Sequence, residues 1–357
     1  MINVTKTFLP PQEEYSKILQ RAWQDGWITN RGKLVQELEN KLKGYLKVSY
    51  LLATTNGTLP IQMAIKALQL TGEIITTPFS YVATTSSIVW EGCNPVFVDI
   101  HPLYLTIDET KIEAAITKKT SAILATHVFG NPCAVEAINS IAKKHGLKVI
   151  YDAAHCFGVT YKDKSIFEYG DISTCSFHAT KLFHTGEGGA LFTKDENLYN
   201  KLFYHHNFGH QGKEAFQGLG INAKMSELQA ALGLAVLPYI EEIMGQREKI
   251  ANKYSKLFSN CNIQLLKIRE GITWNYSYYP IILKDENQLL IIKKDLEANS
   301  IFPRRYFYPS LNTLNYTENS TMPISDSVSK RILCLPMCFN LSIQDVDKIS
   351  KIICRHL

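Results

Sequence analysis

The sequence lacks most of the features that assign a chain quickly. No apolar run approaches the roughly eighteen residues of a membrane-spanning helix, and the opening "MINVTKTFLPPQEEY" has no basic-then-apolar leader layout. A cytoplasmic protein without membrane insertion is therefore expected. The formal charge is only +5 over 357 residues, and the lysines are spread along the chain. The densest basic run, "FPRRYFYPS" at 302–310, is too short for a nucleic-acid arm. Such a mild charge argues against a polyanionic partner and suits a small anionic substrate. Internal repeats and low-complexity segments are missing as well. Among the eight cysteines, Cys334 and Cys338 form a C-x3-C with no histidine or second pair nearby, so no metal site is expected. Most of the thiols lie in apolar surroundings such as "EGCNPVF" and read as buried and free.

What is present is an ordinary globular composition, 45% hydrophobic and 20% charged. The length suggests one large domain with a smaller one. From residue 33 helical and strand patterns alternate. "KLVQELENKLKGYL" carries Leu34, Leu38, Leu42 and Tyr45 at helical spacing, and "TLPIQMAIKALQL" does the same with Pro60 in its first turn. The short apolar runs "EIITT", "PVFVDI", "SAILATHVF" and "LKVIYDA" read as buried strands. Between them "VATTSSIVWEG" and "CAVEAINSIAKKHG" read as helices, the second stopped by Gly146. Continuous apolar strands separated by helices predict a mostly parallel sheet covered on both faces. After residue 240 the pattern changes to a long polar-faced helix, an apparent strand "YSYYPIIL", and two more helices. The expected division is a large α/β domain over 1–240, including the N-terminal segment, and a small α+β domain over 241–357.

Ligands of open α/β sheets bind beyond the carboxyl ends of the strands, and three features fall there. Asn56-Gly57-Thr58 opens a helix, where N–H groups and a hydroxyl can hold a phosphate; the same tripeptide also describes an ordinary capped turn. Asp152 ends a buried strand in "LKVIYDAAHCFG", where an unpartnered carboxylate is unfavourable, so it either caps the next segment or faces a cation. His155 follows, and a satisfied core histidine is the competing reading for it. Finally, "CSFHATKLFHTGEGGALF" sets Ser176 and Lys181 before a glycine-rich turn. A lone lysine there is usually solvated. In combination, a strand-end Asp, a hydroxyl and a lysine are what pyridoxal 5'-phosphate (PLP) requires. The carboxylate keeps the pyridine nitrogen protonated, and the lysine amine, once deprotonated, forms a Schiff base with the aldehyde.

The segments "NGTLPIQMAIKAL", "TTPFSYVATTSSI", "PVFVDI", "THVFGNP", "DAAHCFG", "GDISTCSFHATKLFHTGEGGALF" and "GLGINAKMSELQAALG", in this order, resemble the nucleotide-sugar aminotransferases of the DegT/DnrJ/EryC1/StrS family. "IFPRRYFYPSLN" resembles that family's sugar-facing segment, so the likeness spans nearly the whole chain. The resemblance implies the PLP-dependent transferase fold type I and PLP as cofactor. Lys181 would be the Schiff-base lysine and Asp152 the partner of the pyridinium nitrogen. Gly57, Thr58 and Ser176 would hold the phosphate, and Tyr81 would stack on the cofactor. Asn222 would reach the phosphate of a neighbouring subunit, which implies a homodimer with shared sites. A nucleoside diphosphate needs cationic or N–H partners, so Thr29 and Arg31 in "TNRGK" and Arg304 and Tyr306 in "FPRRYFYP" are expected as substrate contacts, with solvated basic loops as the competing reading; His184 is a further candidate contact. Two positions depart from the family pattern: His155 stands where Gln commonly contacts the cofactor's ring oxygen, and Lys224 where Arg is usual. Lysine at 181, rather than the histidine of the family's dehydratases, implies transamination. The implied substrates are L-glutamate and a nucleotide-linked 4-keto-6-deoxy sugar, most nearly dTDP-4-keto-6-deoxy-D-glucose. A UDP- or GDP-linked or 3-keto sugar, or a non-catalytic relative, are the alternatives. A dinucleotide-binding oxidoreductase would need G-x-G-x-x-G at the first strand–helix junction, which here reads "TTNGTLPIQ".

Overall fold

A computed structural model describes residues 1–357. Its centre is a sheet of seven strands: β1 (Tyr50–Thr54), β2 (Glu73–Thr76), β3 (Asn94–Phe97), β4 (Thr120–Thr126), β5 (Lys148–Asp152), β6 (Ile172–Ser176) and β7 (Gly189–Thr193), lying in the order β1-β7-β6-β5-β4-β2-β3. All neighbours are parallel except those of β7, which runs against both β1 and β6. The expected helices connect the strands, at Leu59–Ala67, Val82–Trp90 and Val135–His145. Gly146 ends the last of these with φ of 66°, a left-handed conformation that needs no Cβ. Both faces of the sheet are covered: Ile75, Ile123, Val149 and Cys175 pack into one core, and Leu52, Ile74, Leu124 and Ile150 into another. Period-2 alternation thus sends each strand's apolar residues to both sides, which is why the strands read as continuous apolar runs.

The C-terminal part forms a three-stranded antiparallel sheet of Gln264–Leu265, Tyr279–Ile282 and Ile332–Leu335. Helices Glu286–Ala298 and Ile343–Cys354 lie against it with their own core. Helix Ile240–Phe258 joins the two: Ile240 and Ile243 pack into the core of the large sheet, and Ile250, Tyr254 and Phe258 into that of the small one. The first residues depart from the expected division, because Ile2–Asn3 pairs in parallel with Ile301–Phe302 of the C-terminal part. No helix is long and apolar enough to cross a membrane. Six cysteines are buried and none is bonded; Cys261 and the exposed Cys354 lie with their sulfurs 3.4 Å apart.

Candidate active site

The carboxyl ends of β1, β2, β4, β5 and β6 converge on one cavity of about 480 Å³. Its lining includes Gly57, Thr58, Tyr81, Asp152, His155, Ser176, Lys181, Arg304 and Tyr306. Nine residues expected from sequence therefore meet, although they span about 250 positions of the chain.

Asp152 is 5% exposed at the end of β5, beside Thr126 of β4 and Thr174 of β6. Burial raises its pKa, opposed by a 2.6 Å hydrogen bond donated by the Thr84 hydroxyl, a 3.1 Å one from the Ala154 N–H, and the nearby Lys181 charge. Thr84 Oγ1 also lies 2.8 Å from Ser80 Oγ, which lies 3.1 Å from Thr126 Oγ1. Each hydroxyl has a single hydrogen. With Thr84 donating to the carboxylate, Ser80 must donate to Thr84 and Thr126 to Ser80, so a buried chain of three dipoles points at Asp152.

Lys181 lies five residues past the end of β6, on a turn rather than on the strand. Burial lowers the pKa of its amine, and Asp152 partly offsets this. Its Nζ sits 5.9 Å from the centre of the Tyr278 ring. The glycines that follow let β7 close over the site: a Cβ on Gly189 would collide with the Asn56 carbonyl.

Gly57 lies so close to Ser176 that a Cβ would come 2.7 Å from the serine Cβ. Asn56 Oδ1 accepts hydrogen bonds of 2.9 Å from the Thr58 and Leu59 N–H groups and caps the helix behind the cradle. Gly57, Thr58 and Ser176 line the cavity together, and an N–H with two hydroxyls is a donor set suited to a phosphate. His155 is 7% exposed, and burial holds its pKa well below the usual value, so the ring is neutral. Its Nδ1 accepts a 3.1 Å hydrogen bond from the Phe129 N–H, which leaves the hydrogen on Nε2. The ring lines the cavity and carries its single N–H on Nε2. Tyr81 is 58% exposed at the helix start, which removes the core-tyrosine reading. The Arg304 guanidinium lies 4.9 Å over the ring of Tyr306, on a segment held by backbone hydrogen bonds to Cys334.

Four expected residues lie outside this cavity. His184 is fully buried, bonded through Nε2 to the Phe8 carbonyl and through Nδ1 to the Gly186 N–H, so it braces the N-terminal segment instead of facing a ligand. Arg31 is paired at 2.7 Å with Glu39, a 3% exposed carboxylate that also accepts from the Ala53 N–H. A buried carboxylate requires such a partner, and this engages the guanidinium expected for substrate. Thr29 is exposed on the same segment. Asn222 is exposed, its Oδ1 accepting from Lys224 Nζ at 2.7 Å; the lysine also donates to Asn207. Ser80, Thr84 and Thr126 carry no local mark of the site in the sequence, although Ser80 and Thr84 lie in "SYVATT". Nor do His178 and Glu187, which also line the cavity, or Tyr278, which reads as a strand residue.

A model of the DegT/DnrJ/EryC1/StrS aminotransferase family matches residues 11–354. The chain is 40% identical to a dTDP-4-amino-4,6-dideoxy-D-glucose transaminase of Shigella dysenteriae, covering 96% of this chain and 95% of the relative. To a transaminase of the same name from Escherichia coli it is 38% identical, covering 99% and 98%. A GDP-perosamine synthase of Vibrio cholerae is 31% identical, over 90% of each chain. Among solved structures, DesI in the presence of its TDP-sugar product superposes with a TM-score of 0.93 at 30% identity, covering 99% of this chain and 92% of that one. The fold is that of these sugar aminotransferases, and the chain belongs to the DegT/DnrJ/EryC1/StrS aminotransferase family.

Proposed function

We propose that the cavity binds PLP and that the protein transfers the amino group of L-glutamate to dTDP-4-keto-6-deoxy-D-glucose, giving dTDP-4-amino-4,6-dideoxy-D-glucose. The observation that carries the reading is Lys181, an amine depressed by burial, in one cavity with the buried Asp152 and with Gly57, Thr58 and Ser176. The choice of sugar rests on the two transaminases matched over nearly their whole length.

The residues suit the cofactor. Gly57, Thr58 and Ser176 would hold its phosphate, Asp152 its ring nitrogen, and the His155 Nε2–H its ring oxygen, with Tyr81 against the ring. When bound, PLP supplies an aldehyde that takes up the amino group and a ring that accepts the electrons released at the reacting carbon. Lys181 then has two tasks that its surroundings favour. Burial lowers the pKa of its amine, which favours the proton-free form that engages the aldehyde, and the same amine would carry protons in each half-reaction. Asp152 acts as an acceptor, its charge supported by the hydroxyl chain from Thr126. Neutral His155 contributes a donor without adding a cation beside Lys181. Arg304, which faces no carboxylate within the chain, suits the diphosphate of the sugar nucleotide.

Asn222 lies on an exposed stretch with Phe208, Phe216, Leu219 and Ile221, whose apolar surface suits a second copy of the chain. A homodimer in which Asn222 completes the neighbouring phosphate site accords with this.

The test is an absorbance spectrum of the purified protein with PLP, borohydride reduction with peptide mapping, and a screen of dTDP-, UDP- and GDP-linked keto sugars with L-glutamate. The expected result is a reduced adduct on Lys181 and turnover of dTDP-4-keto-6-deoxy-D-glucose. An adduct on another lysine overturns the site. Preferred turnover of a GDP-linked sugar would align the enzyme with its GDP-perosamine relatives and overturn the proposed substrate.

A further inference from the structure

Tyr278 is the most heavily supported side chain of the cavity whose function is still unassigned. It is 4% exposed, yet its hydroxyl has no hydrogen-bond partner within the chain. The three residues before it are fixed with unusual thoroughness. Asn275 Nδ2 donates to the His155 and Phe157 carbonyls at 2.8 and 2.9 Å, and the Ser277 hydroxyl donates to the same His155 carbonyl. Arg247, itself 4% exposed and paired with no carboxylate, donates to the Tyr276 and Ser277 carbonyls at 3.4 and 2.9 Å. Between these anchors Tyr276 turns the chain with φ of +53°. A buried guanidinium without an acid is unfavourable, and here it serves to fix the backbone that presents Tyr278.

The ring so held packs 4.9 Å from that of His155 and 5.4 Å, edge-on, from that of Tyr306, with Lys181 Nζ above its face. The ring therefore lies between the amine over its face and the Arg304–Tyr306 segment at its edge. Burial raises the phenol's pKa, so it remains a neutral O–H.

We infer that Tyr278 is a substrate contact shared by both half-reactions, its hydroxyl bonding the group next to the reacting carbon. This rests on the transamination reading. In that chemistry two unlike substrates take turns at one point beside Lys181. In the amino acid the neighbouring group is a carboxylate; in the keto sugar it is a ring hydroxyl. A side chain fixed as firmly as Tyr278 cannot withdraw for one of them, so it must suit both. A phenol does: it donates to a carboxylate, and it donates to or accepts from a hydroxyl. A fixed cation would hold the first far better than the second, and a fixed carboxylate would repel the first.

The test is Tyr278→Phe, which keeps the ring and its packing. Single-turnover rates are measured for each half-reaction, with the melting temperature and the absorption band of the Lys181 adduct as controls. Band and melting temperature should match wild type. The glutamate half-reaction should fall about ten- to a hundredfold, the size of a hydrogen bond to a charged partner, and the sugar half-reaction about two- to tenfold, that of a neutral one. Rates within twofold of wild type in both halves overturn the contact, and a loss confined to one half overturns its sharing. An altered band or melting temperature in Tyr278→Phe, restored in no other conservative variant such as Tyr278→His, assigns the hydroxyl to structure and overturns it too. A wild-type protein inactive with every amino acid removes the underlying reading instead.

Discussion

Asp152→Asn separates what the carboxylate does for the fold from what it does for the cofactor. The amide is isosteric and its Oδ1 still accepts from the Ala154 N–H. Its Nδ2 donates to Thr84, and the hydroxyl chain reverses so that Thr84 donates to Ser80 and Ser80 to Thr126, with no hydrogen bond lost. Only the charge disappears. In the cofactor-free protein that charge is unfavourable, because burial raises the folded pKa above the unfolded value of about 3.9. Between the two values the folded state binds more protons than the unfolded one, so the wild type loses stability as pH rises through that window. The variant has no such slope. Its melting temperature should equal that of the wild type near pH 4, exceed it increasingly as pH rises from the unfolded towards the folded pKa, and keep a constant lead above that. Lys181, depressed by burial, gives both proteins a slope of the opposite sign, so the two are compared at matched pH. With PLP the order reverses. Removing one partner of a buried charge pair costs about 2–5 kcal/mol, or roughly thirty- to several-thousandfold in cofactor affinity and turnover at 1.4 kcal/mol per decade. The assays are thermal unfolding of the cofactor-free proteins from pH 4 to 8, and PLP titration followed by absorbance. A melting-temperature gap that does not widen with pH, or a variant that binds PLP within threefold of wild type, would refute the reasoning.

Gly57→Ala places a Cβ 2.7 Å from that of Ser176; overpacking of about 1–3 kcal/mol should weaken PLP binding about five- to a hundredfold. Adding Ser176→Gly should recover the melting temperature but not the affinity, since the hydroxyl is gone; full recovery of affinity would show that Ser176 is no phosphate donor. For the homodimer, Asn222→Ala and Lys181→Ala proteins, each weak alone, should regenerate activity when mixed. A monomer of full activity by light scattering would refute shared sites.

The sequence alone determined the parts that depend on local spacing. Apolar runs of strand length between helical repeats imply a covered, mostly parallel sheet, and that topology sends strand ends to one edge. Asp152, Ser176 and the Gly57 turn could therefore be named from their places at strand ends, and the glycines after Lys181 from the close approach they permit. What it could not determine was pairing across long separations. Arg31 reads as a free cation until the fold buries Glu39 beside it, and His184 as a polar contact until Phe8 is laid across it. Thr84 and Tyr278 look like core residues of a helix and a strand, because nothing local reveals that one meets Asp152 and the other Lys181. Periodicity records which side of an element is apolar; which buried polar group finds which partner is decided only when distant segments close around the same cavity.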